Sequence, residues 1–80
     1  LQNLKTAYLA EREYRRGARV TRRLTQLIPQ DPTQHRDLGV LLVQANKPGR
    51  AIDPLRAYLR AEPQAEDARD VQKFLSRALT

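Results

Sequence analysis

His35-Arg36-Asp37-Leu38-Gly39-Val40-Leu41-Leu42, then Ala51-Ile52-Asp53-Pro54-Leu55, then Pro63, is the stretch that decides the fold of this 80-residue chain. Leu38 and Leu42 stand one helical turn apart, as do Ala51 and Leu55. Between them Asn46-Lys47-Pro48-Gly49 reads as a tight turn. Two antiparallel helices joined by that turn and closed by a proline account for the spacing. The same pattern occurs earlier in the chain. Leu1, Leu4, Tyr8, Gly17, Leu24 and Pro29 return as His35, Leu38, Leu42, Ala51, Tyr58 and Pro63, each displaced by 34 positions. A fixed period of this size marks stacked units, none of which buries enough apolar surface alone.

The periodicity predicts an all-α domain of five helices. The first covers about residues 1–11, with Leu1, Leu4, Ala7 and Tyr8 on one stripe. The second covers about 13–27, with Tyr14, Gly17, Thr21, Leu24 and Ile28 facing inward, and Pro29 and Pro32 end it. Asp31-Pro32-Thr33-Gln34 reads as a helix start: Asp31 caps, Pro32 suits the first helical position, and Gln34 reaches back. The third helix then spans about 32–45 and the fourth about 50–61. Pro54 in the fourth is harmless if it falls in the first turn and bends the helix if it lies deeper. The fifth covers about 65–79, with Glu66, Asp67 and Asp70 near its start and an apolar face of Ala68, Val71, Phe74, Leu75, Ala78 and Leu79. That amphipathic shape suits the end of a solenoid. The chain therefore divides into repeat 1 (about 1–31), repeat 2 (about 32–64) and a capping helix (about 65–80).

Composition narrows the function classes. There is no Cys, and no apolar run approaches the ~20 residues needed to cross a membrane. Disulfides and thiolate metal sites are excluded. The chain starts without Met and enters helical pattern at once, so it is expected to be part of a longer protein, with a cytoplasmic location. The single His, His35, has no second imidazole or thiolate to share a metal; its place in the pattern, where the first copy has Leu1, points to packing. Ser76 and His35 fall in different helices with no nucleophile motif. Glu11/Glu13 and Asp67/Asp70 lie where caps and first turns want carboxylates. Gly39 and Gly49 belong to no phosphate loop; Gly39 is small where two helices must approach. No catalytic residue, metal site or cofactor is indicated.

The pattern His35-x-x-Leu38-Gly39-x-x-Leu42, Ala51-x-x-x-Leu55, Pro63 resembles the tetratricopeptide repeat, which has this period. The resemblance implies a binding surface rather than an active site. It also implies that the first helix of each pair lines a concave groove. Gln2, Thr6, Leu9 and Glu13 would then face the groove from the first pair, and Arg36, Val40, Val43, Gln44 and Lys47 from the second. The Asn and Lys of the family's peptide-carboxylate clamps have no counterpart here, since Thr6 and Val40 occupy such places. A finer likeness rests on Asn3-Leu4-Lys5-x-x-Tyr8, Arg36-Asp37-x-Gly39 and Tyr58-Leu59-x-x-x-Pro63-x-Ala65-x-Asp67-Ala68. In that order they resemble the C-terminal region of the bacterial Sir B-type transglutaminase-like proteins, whose repeats follow a transglutaminase-like domain. Leu38 and Pro54 depart from that pattern, which has Arg and an acidic residue there. The finer likeness implies an interaction module that packs on an upstream domain of the same chain and offers its groove to a protein segment.

Charge raises a second reading. Lys+Arg total 15 against 9 Asp+Glu, a formal charge of +6. Arg12, Arg15, Arg16, Arg19, Arg22 and Arg23 fall within an arc of about 120° on the second helix at 100° per residue. Such a stripe is either a solvated face, a docking surface for an acidic partner, or a phosphate-binding surface for nucleic acid. No aromatic interleaves it to stack a base, and no nucleic-acid motif is present. Self-association through Leu9, Val40 and Val43 is a third reading.

Overall fold

The computed structural model describes residues 4–80, with side chains from Ala10 onward. Its helices in order are α1 (Leu4–Leu27), α2 (Pro32–Gln44), α3 (Pro48–Ala61) and α4 (Ala68–Leu79). Among the described residues there are thus four helices and no strand, where five helices were expected. The first two expected helices are one continuous helix of 24 residues, α1.

The two copies of the repeat show why. The second pair turns at Asn46, which takes the left-handed conformation at φ 63° and is followed by Pro48 at the start of α3. Thirty-four positions earlier stand Arg12, Glu13, Tyr14 and Arg15. None of them favours left-handed backbone or stops a helix, and Arg and Glu are good helix formers. The contact face gives a further reason. A methyl group on Gly39 would lie 2.5 Å from Leu55 Cγ, so the close approach of α2 and α3 needs glycine. The first copy has Lys5 at that position, and no comparably close hairpin can form around it.

Local signals act as the sequence predicts at most ends. Asp31 caps α2 by accepting a hydrogen bond from the Thr33 N–H at 3.0 Å, with Pro32 in the first turn. The expected return contact from Gln34 is replaced: the Asp31 N–H goes to the Ile28 carbonyl at 3.2 Å. His35 packs back on the preceding turn, its Nε2 donating to the Pro29 carbonyl at 2.8 Å. Pro54 lies inside α3, past the first turn, where it can give no N–H to the helix ladder. Helix α4 begins at Ala68 rather than near 65, so Asp67 becomes its cap residue and only Asp70 of the three acids lies in the first turn.

The core belongs to the second copy and α4. Leu38, Leu42, Ala51, Leu55, Tyr58, Val71 and Leu75 form one buried cluster, and Leu55 is fully enclosed. Helix α1 adds Ala18 to it and also buries Thr21 and Thr25. The inward residues expected on this helix are therefore corrected in part. Thr21 is buried, but Leu24 and Ile28 are 37% and 46% exposed. The cause is the missing turn: with α1 straight, its described side chains pack chiefly on α2, which covers the Ala18/Thr21/Thr25 side. Gly17 meets Leu41 there, and Ala18 shares a cleft with Leu42. That antiparallel register leaves the start of α1 beyond the end of α2, since 24 residues span ~36 Å and 13 residues ~20 Å.

Candidate functional site: a groove across α1, α2 and α4

Helices α2 and α4 pack together, and a groove of about 460 Å³ is lined by residues of α1, α2 and α4. Val40 and Leu41 of α2, Val71 and Phe74 of α4, and Thr21 of α1 line it. Its rim is polar: Arg36, Asp37, Asp67 and Asp70. Each group arrives by a simple local cause. The α2 cap at Asp31 sets Arg36 and Asp37 in the first two turns of that helix. The Ala65–Ala68 turn, closed by the Ala68 N–H to the Ala65 carbonyl, brings Asp67 over the end of α3. Helical spacing then puts Asp70, Val71 and Phe74 on one side of α4.

One polar network holds the rim. The Arg36 guanidinium donates to Asp37 through Nε at 3.0 Å and Nη2 at 2.9 Å, and to Asp67 through Nη1 at 3.0 Å. Its plane lies over the Tyr58 ring, 5.8 Å from the centroid. Tyr58 Oη donates to the second Asp67 oxygen at 2.5 Å. The hydrogen bond from Tyr58, assisted by Arg36, holds the Asp67 carboxyl below the ordinary carboxylate value. The same bond, with burial, raises Tyr58 above an ordinary phenol. Arg36 is held more firmly cationic, first by its bond to Asp37. Arg36 and Asp67 thus tie α2 to the start of α4, with Tyr58 of α3 beneath. Three carboxylates face one guanidinium, and Asp70 has no ion-pair partner among the described residues. The groove is apolar inside and acidic at its edge.

The residues expected to line a groove divide between places. Gln2 lies outside the described residues, as do the side chains of Thr6 and Leu9. Glu13 is exposed on α1, 3.5 Å from Arg16. Arg36 and Val40 border the groove. Val43 packs partly buried against the core, and Gln44 is exposed. Lys47 caps α3 and lines a different cleft, with Arg15, Arg19, Arg22, Arg50, Ala18 and Leu42. Of the remaining arginines, Arg12 and Arg16 border a neighbouring surface hollow with Arg15 and Arg19, and Arg23 is exposed. Sequence reasoning missed Asp70, Val71 and Phe74 as groove residues. Reading 65–80 only as a cap hid the signal: α4 follows a paired unit just as α2 does, so it too is a first helix with a groove side. An exposed apolar strip remains on α1 and just past its end: Val20, Leu24 and Leu27, then Ile28.

Among the described residues no three His, Cys, Asp or Glu side chains gather as a metal site, and no helix is long and apolar enough to cross a membrane. In comparisons with known proteins, the Tetratricopeptide repeat family matches residues 4–76. No curated protein and no solved structure matches the chain.

Proposed function

The chain belongs to the tetratricopeptide repeat family, and from that premise we propose that it is a protein-interaction module whose α1/α2/α4 groove receives a protein segment with apolar side chains and basic neighbours. The family is generally built of non-catalytic interaction modules. One observation carries the finer reading: the groove combines an apolar interior (Val40, Leu41, Val71, Phe74) with an excess of carboxylates at its rim. Apolar side chains supply most of the binding energy in such a groove, and opposite charge at the edge selects among partners. Arg36 and Asp67 hold the walls at fixed spacing, so little ordering is required when a segment enters. The finer assignment, to the C-terminal region of a transglutaminase-like bacterial protein, rests on the sequence likeness of the Arg36-Asp37 and Tyr58…Asp67 motifs alone. In that setting the module would pack on an upstream domain.

Selection of peptides from a random displayed library tests the groove. Enriched peptides are expected to carry two or more apolar residues flanked by Lys or Arg. Phe74→Ala and Asp70→Lys are expected to weaken a selected peptide by about tenfold each, the scale of one well-packed contact or charge pair. Acidic enriched peptides, or binding indifferent to both substitutions, would refute the assignment.

A further inference from the structure

A second cleft lies on the next face of α1, and its chemistry is the opposite of the groove's. Arg15, Arg19 and Arg22 form one wall, at spacings that put them on one side of the helix. Lys47 and Arg50 form the other, where α2 turns into α3. Ala18 and Leu42 make the floor of a space of about 230 Å³. Five cations line it and no carboxylate does. None of the five has an ion-pair partner among the described residues.

A further feature concentrates positive potential there. Helix α3 begins at the same cleft with Lys47 as its cap residue and no side chain accepting from its first amides. A cation at a helix N-terminus opposes the helix dipole, and an anion there is favoured. Gly49 in that first turn leaves the approach open, with nothing within 4 Å of where a side chain would begin.

We propose that this cleft binds a compact oligophosphate. At neutral pH the end phosphoryl groups of a linear oligophosphate carry about −1.5 to −2 each and a bridged one about −1, so three of them together nearly balance the five cations. Carboxylates bring only one charge each and would need more groups in the same space. Arginine forks suit phosphate oxygens. No aromatic side chain lines the cleft, so the site reads phosphoryl groups and not a base. The phosphoryl groups of inorganic tripolyphosphate and of a nucleoside triphosphate tail are equivalent for this purpose.

Isothermal titration of the chain at ~0.15 M salt tests the assignment. The probes are sodium tripolyphosphate, adenosine triphosphate, orthophosphate, citrate and a single-stranded oligonucleotide. The expected result is one tripolyphosphate per chain, with the nucleotide binding equally well and orthophosphate and citrate at least about tenfold more weakly. Arg19→Gln and Arg50→Gln, both at exposed positions, are expected to weaken binding about tenfold or more, the scale of charge-assisted hydrogen bonds. Arg15→Lys keeps the charge and loses the planar fork, and is expected to weaken it too. Arg12→Gln and Arg23→Gln remove the same charge outside the cleft and are expected to change affinity less than about twofold, as a local site requires. Melting curves establish that each variant is folded. Equal weakening by all arginine substitutions, citrate binding as tightly as tripolyphosphate, or an oligonucleotide binding where tripolyphosphate does not, would each overturn the proposal. The last outcome would return the arginines to a nucleic-acid role.

Discussion

The two 34-residue copies share a spacing but not an interface. In the second, α2 and α3 meet through Leu38, Gly39, Leu42, Ala51, Leu55 and Tyr58, all buried. In the first, the corresponding helix positions carry Gly17, Thr21 and Leu24, no turn separates them from the preceding helix, and Leu24 is left partly in solvent. Helix α1 instead leans on α2 through Ala18, Thr21 and Thr25. Thr25 satisfies its hydroxyl locally, on the Arg22 carbonyl at 2.6 Å. The difference separates two things a repeat pattern encodes. Spacing sets which side of a helix faces a neighbour; side-chain volume and turn chemistry decide whether a neighbour comes.

The largest expected effect follows from this asymmetry. Leu55→Ala empties the enclosed centre of the second copy and is expected to cost about 3–5 kcal/mol in urea unfolding. Thr21→Ala, at the matching position of the first copy, is expected to cost less than about 1 kcal/mol. Equal losses would erase the distinction between the two interfaces. Next come the glycines. Gly39→Ala forces a methyl into Leu55 and is expected to cost about 1–3 kcal/mol. At Gly17 the same methyl sits 3.3 Å from the mobile end of Leu41, and the gain in helix propensity, about 0.5–1 kcal/mol, is expected to prevail. Melting temperatures of the two variants are expected to move in opposite directions.

The network at the end of α3 adds a pH signature that only the second copy has. Asp67 titrates below its ordinary value in the folded chain, so its contribution is complete above that ordinary value and is lost as the pH falls through the lower, folded one. Tyr58 is raised, so its contribution is complete below about pH 10 and is lost as the pH climbs through the raised value. Melting temperature is expected to be flat between those limits. Tyr58→Phe is expected to move the acid limb up in pH and to remove the alkaline limb; an unchanged acid limb would show that Tyr58 does not set Asp67. The smallest global effect is expected from Glu13→Pro, which breaks α1 ahead of its Gly17 and Ala18 contacts with α2. Helical circular dichroism is expected to fall by about the residues before position 13, while the melting temperature shifts by no more than a few degrees. A collapse in melting temperature would mean that the first half of α1 is integral to the core.

Much of the architecture could be read from the residues. Asp31-Pro32, Asn46, the spacing of Leu38/Leu42 and Ala51/Leu55, and Gly39 each have a local physical meaning that the structure keeps. The fused α1 was legible too, in the absence of any turn residue at Arg12–Arg15 and in Lys5 at the Gly39 position. The repeat pattern outweighed those signals. The groove was legible only on its α2 side, because Val40 and Arg36 fall on a recognisable first helix. Its α4 wall depends on a third helix position that the capping role obscured. The basic cleft was not legible as a cleft. A helical wheel groups Arg15, Arg19 and Arg22, but Lys47 and Arg50 join them only through the corner at Asn46, a tertiary fact.

That corner also bears on how quickly the chain finds its shape. Only Ala45, Asn46 and Lys47 separate α2 from α3, so the most tightly packed pair in the molecule is closed by the shortest loop and forms from contacts near in sequence. The α2–α3 hairpin is therefore the expected nucleus, with α1 and α4 condensing on it. Relaxing the left-handed strain with Asn46→Gly acts on that nucleus. It is expected to speed refolding while leaving the unfolding rate almost unchanged, a signature that stopped-flow chevrons separate cleanly from simple stabilisation.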